Sequence, residues 1–368
     1  MFPTADPIPL PAPVWLMKLL SLVTLGLHFT AVMMLVGSLI LVIALNFRGH
    51  MARRADLVSA SWTLSKRHPV IMTYVINLGV PPLLFLQVLY GRQIYSSSIL
   101  IAVAWISVIA MLIVSYWLLY KVNARMEASR PAWGLALLSL IIVMAIGKVY
   151  AMNMTLMLRP EVWRDMYAQS PRGLQMVTGD PTVAPRFWFV MLGGPLVGGL
   201  WAALLSNMTY LSDSVRTILR RVGGWSAVIG AAGMLVSGYT VMANQPEGVR
   251  QSIAAAPLYQ GSLIACIVAV ALSGLLGLIQ GVRASSTLVG TLGWVISFVA
   301  ATTAGIVRDG IRDFTLKPKG FDVYDVQVYP NWSVLIAFLL LFVLMLGIIY
   351  WLLQVMRQAT PPTEEVVL

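Results

Sequence analysis

The sequence predicts an all-α fold, a polytopic membrane helix bundle of about nine transmembrane helices, as a single integral membrane domain over residues 1–368. Three observations carry this. Of 368 residues, 59% are hydrophobic and only 11% charged, whereas soluble domains carry roughly a quarter charged. The mean hydropathy is +0.83. The apolar runs reach the roughly 20 residues that a helix needs to cross a hydrocarbon core, far longer than barrel strands.

The runs place helices at 14–46, 69–90, 98–122, 132–158, 185–210, 223–244, 257–282, 287–308 and 331–356. The first exceeds one span, which a tilt or an interfacial start accommodates. Basic residues then set the orientation. Arg48, Arg53, Arg54, Lys66 and Arg67 follow the first helix; Lys121, Arg125 and Arg130 follow the third; Arg216, Arg220 and Arg221 follow the fifth. These short basic loops belong on the cytoplasmic side, with the N-terminus outside and the C-terminus inside. The same distribution accounts for the net charge of +11 without invoking nucleic acid. No basic n-region marks a signal peptide at the start, and a bacterial inner membrane is the expected location.

Two segments on the outer side are long enough to hold structure. Residues 159–184 carry Trp163, Met166 and Tyr167 at helical spacing, which predicts a short helix lying on the membrane. Residues 309–330 mix Arg312, Lys317 and Lys319 with Asp309, Asp313, Asp322 and Asp325, among Phe314, Phe321, Tyr324 and Tyr329. Each reads either as a docking surface for an extracytoplasmic partner or as an interfacial aromatic belt. Residues 357–368 read as an unstructured cytoplasmic tail.

The chemistry available is narrow. One cysteine, Cys266, excludes an internal disulfide, a CxxC pair and c-type haem attachment. Three histidines and one cysteine do not suggest a zinc site. Polar groups inside spans are the candidates, because they are costly there. His28, in the outer half of the first helix, is either an axial ligand to haem iron or a histidine bonded to a neighbouring helix. His50 and His68 fall in the first basic loop and are expected to be solvated or against lipid head groups. With no second histidine in a span, a bis-histidine haem is excluded within this chain; its 20 methionines offer a sixth ligand or mere packing. Lys148 either snorkels outward or pairs with a haem propionate or quinone oxygen. Gln87, Asn153 and Asn207 suit interhelical hydrogen bonds. The Gly193-Gly194-Pro195 and Gly198-Gly199 cluster brings helices close together.

The segment His28-Phe29-x-x-Val32-x-x-x-x-Gly37 and the run from Val75-Ile76-Asn77-Leu78-Gly79-Val80 through Gln87 to Tyr90-Gly91 resemble the first two helices of subunit I of cytochrome bd-type quinol oxidases. Pro185 to Leu211 is a weaker echo of that family's fifth helix. The resemblance implies a high-spin haem ligand at His28. It also sets the departures. Gln87 stands where the family has a glutamate that delivers protons. Near the place of its low-spin haem ligand are Trp188, Phe189, Val190 and Met191, with no histidine, so Met191 is the only thioether candidate there. The loop 245–257 is too short for the family's quinol-binding loop. Oxygen reduction needs titratable groups along a path, and a complete terminal oxidase in this chain alone is not expected.

The leading expectation is therefore a bd-like membrane subunit of a respiratory electron-transfer complex. It would hold at most one haem b or contact quinone, with His28, Lys148, Gln87 and Met191 the candidate cofactor-binding residues and His28 the candidate ligand to haem iron, and dock membrane and extracytoplasmic cytochrome subunits. The alternative is a cofactor-free anchor in such a complex. Secondary transport fits less well, because repeated halves and charged coupling residues are not visible.

Overall fold

The structure is a computed structural model that describes residues 9–176, 179–283 and 286–358. Most of the expected tail, 359–368, lies outside them. Thirteen α-helices are present among the described residues: α1 Val14–Met51, α2 Ala55–Ser65, α3 His68–Leu89, α4 Gly91–Leu100, α5 Ala102–Glu127, α6 Trp133–Leu156, α7 Pro160–Gln169, α8 Val183–Leu205, α9 Asp213–Ala243, α10 Glu247–Ala255, α11 Pro257–Val282, α12 Thr287–Leu316 and α13 Trp332–Gln358. Nine stretches among these residues are long and apolar enough to span a membrane, with α2 and α3 forming one of them. The all-α membrane bundle expected from composition is what forms.

Because successive spans alternate in direction, α1, α5, α8, α11 and α13 begin at the end where the N-terminus lies, here called the N-terminal end. The loops rich in Arg and Lys gather at the other end. The long central helix α1 packs against α2, α3, α6, α8 and α12. Its buried side chains Met33, Leu35, Val36, Leu39 and Val42 anchor the main apolar core, which also takes in Met72 on α3, Leu196 and Leu200 on α8, and Ala227 on α9. The glycine cluster works as expected: a Cβ on Gly198 would lie 2.5 Å from the Gly37 carbonyl carbon of α1 and the Ser38 nitrogen. Backbone-to-backbone contact of this kind is how membrane helices pack without a hydrophobic driving force.

Several boundaries differ from the sequence reading, two of them with an electrostatic reason. The sixth span begins at Asp213 rather than 223, because Arg216 and Arg220 bond backbone carbonyls of Thr209 and Gln280 from within the helix. The eighth continues to Leu316 rather than stopping at 308; an Asp309–Arg312 pair one turn apart, at 3.0 Å, keeps its charges inside the helix. The first runs on to Met51. The short helix expected around Trp163 is α7, and the Trp163 indole N–H donates to the Leu156 carbonyl at 2.9 Å.

Loops close the N-terminal end. Leu10 pairs with Val328 in a parallel bridge, with the Tyr329 amide donating to the Leu10 carbonyl at 2.9 Å. Lys319 donates to the Leu158 carbonyl at 2.7 Å and meets Glu161 at 3.0 Å. The two segments that the sequence separates, 159–184 and 309–330, are thus fastened to one another. By contrast α13 stands at the margin: only 6% of its most apolar stretch is buried, against 61% for α1 and α8. It touches the bundle near Phe85, whose ring meets Phe338 edge-on at 5.5 Å.

Candidate functional site

His28 sits in the seam between α1 and α3. Its Nδ1 lies 3.0 Å from the Val75 carbonyl oxygen. A carbonyl can only accept, so Nδ1 carries the proton and the lone pair is on Nε2. Gly79, one turn beyond Val75, makes room for the ring: a Cβ there would fall 2.8 Å from His28 Cε1 and 2.9 Å from Nδ1. An imidazole held by a backbone acceptor, with its other nitrogen unprotonated, is the usual state of a metal-ligating histidine. This donor set fits a single axial bond to haem iron.

The surroundings of His28 are cationic. The Arg308 guanidinium lies 5.9 Å from the ring centroid of Phe29 and within electrostatic reach of His28 itself. Next to it is a closed ionic network that joins three helices. Lys18 Nζ on α1 donates to Asp309 Oδ2 at 2.9 Å and also bonds Asp313 on α12. Arg312 bonds the other oxygen of Asp309 at 3.0 Å. The Tyr90 hydroxyl, at the end of α3, donates to Asp313 Oδ1 at 2.6 Å, and Arg312 stacks over the Tyr90 ring at 4.8 Å. Lys18, Tyr90, Asp309 and Arg312 are all buried. Each carboxylate has at least two donors, as buried charge requires. A small pocket of about 200 Å³, lined by Asp313, Tyr259, Lys317, Asp322 and Tyr324, opens onto Asp313 from the loops.

The remaining candidates lie elsewhere. Lys148 on α6 is half-buried, its ammonium 5.8 Å from the Phe187 ring. Met191 on α8 is buried in the same neighbourhood; a Cβ on Gly147 would lie 2.9 Å from its Cε. Lys148 and Met191 therefore share the α6–α8 contact, whereas His28 faces α3. Gln87 is half-buried on α3, two turns past Gly79. Asn153 makes the expected interhelical bond, to Ser98 Oγ at 2.9 Å. Asn207 does not; just past the end of α8 it bonds that helix's Ala203 and Leu204 carbonyls. His68 is also corrected. It is fully buried, its Nε2 3.0 Å from Ser38 Oγ, because it is the first residue of α3 and packs against α1 rather than lying in the loop.

Sequence reasoning missed the ionic network entirely. Lys18 was one charge near the start of a long apolar run, and Asp309 and Asp313 looked like loop acids. The signal that was available is the helical spacing of Arg308, Asp309, Arg312 and Asp313, which puts opposite charges one turn apart.

No family model and no curated protein matches the sequence. Among solved structures, that of bd oxidase from Geobacillus thermodenitrificans aligns over 96% of this chain and 100% of that one, with a TM-score of 0.71 and 11% identity. The fold is that of a bd oxidase chain. The bd-oxidase fold accounts for the nine-span plan and for the resemblance seen in short motifs of the first two helices. At this identity it speaks for the backbone, and the Lys18–Asp309–Asp313 network is argued from this chain's own side chains.

Proposed function

We propose that the protein is a bd-like membrane subunit of a respiratory electron-transfer complex, holding one haem b through His28 in a bacterial inner membrane. The observation that carries this is the imidazole itself: Nδ1 committed to the Val75 carbonyl and the ring cradled at Gly79, within a bd-oxidase fold. Haem bound there would supply one-electron transfer. The chain's own residues orient the imidazole, close the site with packed helices and place positive charge beside it. An apolar groove of about 570 Å³ between α8 and α9, lined by Trp188, Leu192, Val236 and Thr240, suits the tail of an isoprenoid quinone. The fastened loops of the N-terminal end, with Tyr324 and Tyr329 exposed, suit docking of a cytochrome subunit.

The test is a reduced-minus-oxidised absorption spectrum with a pyridine haemochrome assay on the purified chain. One b-type haem per chain, lost in His28→Ala, is the expected result. Intact chain without haem would overturn it. The second reading, a cofactor-free anchor in such a complex, draws on the ionic network, whose charges Lys18, Asp309, Arg312 and Asp313 satisfy one another without a ligand.

A further inference from the structure

Asn77 is the tenth of the 22 residues of α3, roughly 14 Å from one end of the helix and 18 Å from the other. A helix of that length crosses a hydrocarbon core of roughly 30 Å, so Asn77 lies near its centre. Its side chain is exposed on the outward face. Nδ2 donates to the Thr73 carbonyl at 2.9 Å, which uses one of its two N–H groups. The second N–H and Oδ1 find no hydrogen-bond partner among the described residues. Pro81, one turn on, has no N–H for the Asn77 backbone carbonyl, so this level of the face is short of donors. Lipid tails cannot supply them, and membrane helices containing proline draw on neighbouring helices instead. The residues around Asn77 form a pattern. Val70, Thr73, Asn77, Val80 and Leu84 are all exposed, and their spacing alternates three and four residues. This is the seam of a left-handed helix pair, with one asparagine among aliphatic and β-branched residues to set register and partner number. The seam is steadied from the side, where Thr73 Oγ1 lies 3.1 Å from the Tyr116 hydroxyl of α5.

We infer that α3 pairs along this seam with α3 of a second copy of the chain, about a two-fold axis normal to the membrane. Two copies inserted the same way present parallel helices, and the two-fold axis sets each seam residue opposite itself. Asn77 therefore meets Asn77. A carboxamide is donor and acceptor at once, so each gives its free N–H to the open oxygens of the other. A different helix would need a polar group at the same depth by coincidence; a second copy brings one there by symmetry. Interhelical bonds from asparagine are a recurrent means of association between membrane helices. The pairing does not depend on whether haem is held at His28.

The experiment uses the purified full-length chain, reconstituted at low density in liposomes. Energy transfer between donor- and acceptor-labelled copies measures their association. Dimers are expected, and Asn77→Leu should weaken them by about tenfold. Asn77→Gln keeps a carboxamide and should weaken them less. The seam is located by oxidative cross-linking in a Cys266→Ala background, which removes the chain's one cysteine. Val80→Cys should link to its counterpart as a covalent dimer, whereas Val236→Cys, exposed on α9, should stay monomeric. Copies that remain single in liposomes overturn the inference and leave this face to lipid or to a different subunit. It is equally overturned by dimers that link through Val236→Cys and not Val80→Cys, or by an affinity that Asn77→Leu leaves unchanged. Where the Asn77→Leu chain fails to fold, energy transfer and the Val80→Cys link on chains that retain Asn77 decide alone.

Discussion

Lys18 and Asp309 are separated by 291 positions in the chain, yet Nζ and Oδ2 meet at 2.9 Å with both side chains under a tenth exposed. The contact ties the first span to the eighth at the N-terminal end. Its strength depends on the whole network, since Asp313 shares the same ammonium and Tyr90 holds Asp313 in place.

Removing that ammonium leaves two carboxylates facing each other. Lys18→Met is expected to destabilise the chain by about 3–5 kcal/mol, the range for breaking one partner out of a buried ion pair. Thermal unfolding in detergent measures it, and an unchanged midpoint would contradict the network. Adding Asp313→Asn to Lys18→Met should recover much of the loss, because Asp309 still pairs with Arg312 and no buried charge is then left unanswered.

The imidazole site has its own steric test. Gly79→Ala puts a methyl group 2.8 Å from His28 Cε1, so the ring must shift away from Val75. Haem content per chain should fall at least several-fold while size-exclusion behaviour is retained. Gly134→Ala is the control, since nothing lies within 4 Å of a Cβ there. Equal haem content in the two variants would remove Gly79 from the site.

Helix approach can be tested apart from chemistry. Gly198→Leu forces a side chain into the backbone of α1 beside Gly37 and Ser38. Overpacking of this kind costs about 1–3 kcal/mol or more. The yield of monodisperse protein should drop sharply, and normal yield would show that α1 and α8 are not in contact there.

One loop should respond to acid. Lys317, at 2.9 Å, and the Tyr324 amide hold the Asp322 carboxyl below its ordinary value. A depressed folded-state value means that this contribution is complete above the unfolded-state value of about 3.9 and is lost as pH falls through the lower folded one. Protection from hydrogen exchange at residues 320–326, taken relative to the intrinsic rate at each pH, should therefore fall below about pH 4, and Asp322→Asn should show the low protection at neutral pH. Protection independent of both changes would refute the pairing.

The sequence revealed the architecture because the lipid constraint acts on every span separately: each needs a long apolar run, and each run can be counted. His28 was legible for the same reason, as a lone imidazole in such a run. What stayed hidden depends on pairing between distant segments. Asp309 and Asp313 looked solvent-facing until Lys18 and Tyr90 were seen against them, and His68 looked exposed until Ser38 of α1 was seen against it.

The distance in sequence between Lys18 and its carboxylates also bears on biogenesis. At roughly 5–20 residues per second, the ribosome needs on the order of 15–60 s after making Lys18 to produce Asp309 and Asp313. The first span therefore enters the membrane with its ammonium unanswered. Its place four residues into α1 lets the flexible stem carry the charge up to the head-group layer in the meantime. Arrival of the eighth span draws it inward, and the bridge of Leu10 to Val328 then latches the oldest part of the chain to nearly the newest. The order of synthesis leaves this corner of the bundle open until the eighth span is in place.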